Sequence, residues 1–80
     1  METTDILSKI TAIIADTNGV EASSIKPTDN FRSDLDFDSL DSVEFSMQVE
    51  TEFNVKFTDD EMVGIVTVQD AVDLVGKKLA

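Results

Sequence analysis

Residues 33–53 read SDLDFDSLDSVEFSMQVETEF, and within them a loop pattern gives way to a helical one. Aspartates at 34, 36, 38 and 41 surround a single serine, Ser39. The change comes at Asp38, because an aspartate carboxylate accepts hydrogen bonds from first-turn amides and is a favoured N-cap. Beyond it the apolar residues fall into two stripes of a helix that continues to about Phe53. At roughly 100° per residue, Phe45, Val49 and Phe53 share one face, and Leu40, Val43 and Met47 lie nearly opposite. Asp41, Glu44 and Glu52 flank the second stripe on one side and Glu50 on the other. The first stripe is expected to face the core. Val43 and Met47 are then largely exposed, with Leu40 partly covered.

Upstream, Ile6, Leu7, Ile10, Ile13 and Ile14 keep helical spacing, with Thr3 or Thr4 as an N-cap and Asn18-Gly19 closing the helix. The connection that follows, residues 20–37, holds the only proline, Pro27, and is long for so small a domain. Val20, Ile25, Phe31 and Leu35 are its expected anchors. Downstream, Thr58 with Glu61 reads as a capping box for a short third helix ended by Gly64. Thr67 with Asp70 opens a last helix through Val68, Ala71, Val72, Leu74, Val75 and Leu79, and Lys77 and Lys78 near its end suit the helix dipole. FNVKF, residues 53–57, has strand composition but no partner strand. The expectation is an all-α four-helix bundle, three helices longer and the third short, in one domain over residues 1–80.

Eighty residues with 41% apolar content suffice for one core, so the acidity does not imply disorder. No run of about 18 apolar residues exists, so no membrane span is expected. METTDILSK at the N-terminus lacks the pattern of a secretory leader. With no cysteine there is neither disulfide nor thiolate, and a cytoplasmic setting fits. Histidine is absent too, which removes the usual general base, and no lysine lies near Ser39 in sequence. Catalysis by this chain alone is not expected. The net charge is −11, and ten of the 17 acids fall within residues 34–61, where Lys56 is the only base. Such a surface repels nucleic acid and complements a basic protein surface.

Alternating carboxylates raise the question of a calcium loop. From Asp34, the EF-hand pattern would put Ser39 where glycine makes the sharp turn and Phe45 where a bidentate glutamate belongs. No metal site is read here. Paired carboxylates for glycoside hydrolysis lack an aromatic platform, since Trp and Tyr are absent. Ser39 fares better as a residue that another enzyme modifies. As the first residue of the helix it sits where unpaired N–H groups favour an attached phosphodiester.

The stretch DLDFDSLDSVEF, with VETEF after it and TVQDAVDLV later, resembles the acyl carrier proteins, especially the free-standing bacterial type. The likeness runs over nearly the whole chain. It implies a four-helix bundle and a 4′-phosphopantetheine arm, added to Ser39 from coenzyme A by a separate phosphopantetheinyl transferase. Asp38 and Leu40 flank Ser39 in the Asp-Ser-Leu triplet. The arm's thiol would hold acyl groups as thioesters, which is how a chain without cysteine could do thiol chemistry. The partners implied are acyl-processing enzymes with basic docking surfaces, met by Asp41, Val43, Glu44, Met47 and Glu50, with the chain acting as a monomer. Fatty-acid synthesis is the expected setting, and a specialised pathway such as polyketide assembly is the alternative. From a different class, an acidic cation-binding module without a prosthetic group would share the composition. Shelter for the acyl chain is expected between the second helix and the last two, lined by Phe31, Val49 and Met62 and by Ile65, Ala71 and Leu74. The family pattern is Leu-Gly-x-Asp-Ser, but here Leu35 is followed by Asp36 and Phe37. Aspartate tolerates unusual backbone conformations, and Phe37 is expected to contact the arm or a partner.

Overall fold

The computed structural model describes residues 3–79, with side chains from Thr4 onward. Four helices follow in order: α1 (Thr3–Asn18), α2 (Ser39–Phe53), α3 (Asp59–Gly64) and α4 (Val68–Leu79). A 3-10 turn, Ala22–Ser24, lies in the first connection. Among the described residues there is no strand, and 53–57 carry the end of α2 into a loop. The all-α architecture matches the expectation.

Helix α1 packs against both α4 and α2. It buries Ile6, Ile10 and Ile14, spaced four apart on one face. Helix α4 answers with Val68, Ala71, Val72 and Val75, and α2 with Phe45, Val49 and Phe53. The helix already includes Thr3, so Thr4 lies inside its first turn and does not cap it; a cap ahead of Thr3 falls outside the described residues. At the other end Gly19 has a φ of 70°, and its N–H donates to the Ala15 carbonyl at 2.8 Å. Glycine enters this left-handed conformation without the Cβ clash, so it ends α1 cleanly.

The long connection is fixed from two sides. Ile25, Phe31 and Leu35 are buried, whereas Val20, expected as an anchor, is exposed just past the Gly19 turn. The loop is also stitched to the start of α4. Phe31 N–H donates to Val66 O at 3.0 Å, Val68 N–H to Asp29 O at 3.0 Å, and Gln69 N–H to Pro27 O at 2.8 Å. These bonds supply partners for backbone groups that the absence of helix leaves open.

Candidate functional site

The four aspartates around Ser39 have separate structural tasks. Asp34 accepts from Asn30 N–H at 2.7 Å and so closes the turn before it. Asp36 is exposed, with a φ of 58°, in the left-handed conformation its family place suggested. Asp38 caps α2 by accepting from Asp41 N–H at 2.8 Å, and Asp41 returns a carboxylate to Asp38 N–H at 3.3 Å. Among the described residues no three acids are grouped so as to hold a metal ion.

This capping box places Ser39 as the first residue of α2, exposed to solvent. Leu40 beside it is 66% exposed, more open than expected. Ser39 also stands at the edge of a groove of about 390 Å³. From α2 the groove takes Ser39, Ser42, Phe45 and Ser46, and from the loop Phe31, Arg32 and Phe37. Met62, Val63, Ile65 and Val66 form its far side. Phe31, Phe37 and Phe45 pack together there, with ring centroids 5.3, 5.0 and 6.0 Å apart. Such tilted and edge-on arrangements are favourable for phenyl rings.

Three of the six residues expected around an acyl chain, Phe31, Met62 and Ile65, border this groove. The others do not. Val49 and Ala71 are sealed in the core, and Leu74 sits on a separate shallow depression with Ile65, Asp70 and Lys77. Helix α4 turns its apolar face to α1, so its residues fill the centre of the bundle. Phe37, expected to contact the arm or a partner, is buried with the other two rings and borders the groove. The groove residues that sequence reasoning missed are Arg32, Ser42, Phe45, Ser46, Val63 and Val66. The spacing of Ser39, Ser42 and Ser46, three and then four residues apart, was the available signal.

The outward stripe of α2 is where its pattern placed it. Val43 and Met47 are exposed, Met47 at 60%, and Met47 borders a shallow depression with Ile13 and Thr51. Glu44 is exposed beside them. Asp41 and Glu50 are half-buried and turned to backbone: Asp41 to Asp38, and Glu50 accepting from Phe57 N–H at 2.8 Å. Their carboxylates are less free for a partner than the pattern implied. On the groove's far side, Glu61 is held below the usual carboxylate range by the Lys78 ammonium and by Thr58 N–H. Asp70 is likewise held down, first by Thr67 N–H.

A family model described as "Phosphopantetheine attachment site" matches residues 8–75. The acyl carrier protein of Thermosynechococcus vestitus is 42% identical over 80 residues, covering 100% of this chain and 99% of that one. The chain belongs to the acyl carrier proteins. A second relative, the acyl carrier protein of Rubrobacter xylanophilus, is 45% identical over 94% of this chain and 93% of its own. The solved structure of an acyl carrier protein from Enterococcus faecalis superposes with a TM-score of 0.81 at 31% identity, covering 98% of this chain and 99% of that chain. Acyl carrier proteins are carriers and not enzymes, and they work through a covalently attached 4′-phosphopantetheine. The family interacts with acyl chains and acyl-processing enzymes. No helix among its described residues is long and apolar enough to cross a membrane.

The residues around Ser39 fit such an arm. A phosphodiester needs an accessible hydroxyl, and Ser39 offers one on a helix end fixed by two carboxylate caps. When bound, the arm supplies a thiol that carries acyl groups as thioesters. The chain's own residues hold Ser39 at a fixed helix start and offer an apolar surface beside it.

Proposed function

We propose that Ser39 carries the 4′-phosphopantetheine arm and that this carrier presents acyl thioesters to a succession of enzymes in cytoplasmic fatty-acid synthesis. The observation that supports this most is the position of Ser39, an exposed hydroxyl on a capped helix start at the edge of an apolar groove. Ser42 repeats the Asp-Ser dipeptide one turn later, but it is half-buried and offers an enzyme a poorer approach. Partner enzymes dock on the outward stripe of α2. Glu44 draws a basic surface in, and Val43 and Met47 give close apolar contact. Asp41 and Glu50 contribute mainly by holding the helix ends and the loop after it. The groove beside Ser39 gives the acyl chain partial shelter, with Phe31, Met62 and Ile65 on its walls.

Intact-mass measurement after incubation with a phosphopantetheinyl transferase and coenzyme A tests the assignment. The native chain gains one arm, and Ser39→Ala gains none while keeping its helicity. Modification that persists in Ser39→Ala would falsify the assignment.

A further inference from the structure

The groove has two unlike sides. Along α2 its edge is a line of hydroxyls, Ser39, Ser42 and Ser46. Ser46 is buried, and its hydroxyl donates to the Ser42 carbonyl at 2.9 Å, which leaves the oxygen's acceptor capacity unused. Ser42 is half-buried, and its hydroxyl has no hydrogen-bond partner among the described residues. The floor and far side are apolar, and Arg32, next to Phe31 in the loop, is the charged residue of the lining. The floor is also closed, because the rings of Phe31, Phe37 and Phe45 touch and fully buried Val49 lies in the same core cluster.

A long unsubstituted alkyl chain suits this shape badly. It would cover serine oxygens without offering them a partner, and it has no open way beneath the rings. A short chain bearing a hydroxyl or keto oxygen suits both sides, apolar carbons on the rings and oxygen on α2. On the reading that Ser39 carries the arm, the tethered cargo is the natural occupant, since its anchor is part of the same edge. We infer that the groove selects short acyl chains carrying a hydroxyl or keto group over plain long ones. Ser42 and Ser46 act as the discriminating residues, and the three phenylalanines limit length.

The test uses the full chain loaded by a phosphopantetheinyl transferase from hexanoyl-, 3-hydroxyhexanoyl- or hexadecanoyl-coenzyme A, each verified by intact mass. Sheltering is read as the rate at which hydroxylamine cleaves the thioester. The hydroxylated chain is expected to be cleaved roughly three- to tenfold more slowly than hexanoyl, the range of one net hydrogen bond. That difference should vanish in the Ser42→Ala, Ser46→Ala double variant, where alanine keeps the helix. Phe45→Leu should slow cleavage of the hexadecanoyl form by opening the floor. Equal rates for the two short chains in the native carrier, or discrimination that survives the double variant, overturns the inference alone. If no chain loads at Ser39, the parent reading fails and this one falls with it.

Discussion

The Lys78 ammonium lies 2.9 Å from a Glu61 carboxylate oxygen and so ties the last turn of α4 to the first turn of α3. A helix of six residues does not hold itself together in water, so α3 depends on such ties. Glu61 serves twice, since it also accepts from Thr58 N–H at 2.8 Å in the capping box. Lys78 stands 5.8 Å from the Phe57 ring centroid as well, so one side chain braces both the helix and the loop before it. Met62, on the groove's far side, belongs to the helix held this way.

Lys78→Ala should therefore loosen α3 more than it destabilises the domain. The pair is partly exposed, and ion pairs of that kind contribute little to global stability. The expected result is faster amide hydrogen exchange at Met62 and Ile65, with protection in α1 nearly unchanged. Lys78→Arg should restore most of the protection. Uniform loss of protection across all four helices would contradict this local role.

The lowered carboxyls of Glu61 and Asp70 fix the sign of a pH effect. Their folded values lie below the ordinary 4.5 and 3.8, so the stability they contribute is present above those values. It is lost as pH falls through the folded values. Thermal melts should show α3 and the start of α4 giving way on acidification. In Asp70→Ala the slope should be shallower. Thr67→Ala removes the cap that accepts from Asp70 N–H and should cost about 1 kcal/mol at neutral pH.

The caps and stripes were readable in advance because they rest on local spacing. Asp38 with Asp41, Thr58 with Glu61 and Thr67 with Asp70 all form the reciprocal pairs their sequence positions imply. What the spacing could not supply was which apolar face of each helix meets which neighbour. Ala71 and Leu74 share a plausible apolar side of α4, yet Ala71 is sealed inside and Leu74 is not. Phe37 was unreadable for the same reason: a loop residue has no periodicity, and only packing against Phe31 and Phe45 brings it inside. Glu50 looked like one more surface acid until the loop after α2 returned Phe57 N–H to it.

Asp36 holds a left-handed conformation that glycine adopts without strain, and it does so at an exposed position with its side chain in water. Asp36→Gly relieves that strain but frees the unfolded chain, so the net change in stability should stay within about 1 kcal/mol. Asp36→Val has no such compensation, because a β-branched side chain is a poor occupant of positive φ. Chemical denaturation should find it less stable by roughly 1–2 kcal/mol. If valine is tolerated as well as glycine, the turn adjusts and carries no constraint on Ser39.

With docking on the outward stripe, as proposed, the two faces of α2 should separate stability from partner binding. Phe53 is buried in the core, so Phe53→Ala should cost about 3–5 kcal/mol, a large part of the stability of a domain this size. Met47 on the opposite face is open, and Met47→Ala should leave the melting temperature nearly unchanged. Its effect should appear in transfer. The phosphopantetheinyl transferase is expected to work roughly fivefold less efficiently on it at every salt concentration, as when one apolar side chain is trimmed from a small interface. Glu44→Lys acts on approach rather than on close packing, so its slowing should be greatest at low salt. It should fade near about 1 M, where charges are screened within roughly 3 Å. Glu50→Lys belongs to neither class. It removes the acceptor for Phe57 N–H and should lower stability while changing the salt dependence little. Measuring melts and transfer rates on the same four variants checks the division. Should Met47→Ala lower the melting temperature and leave transfer untouched, its side chain supports the fold and the outward stripe is not the docking face.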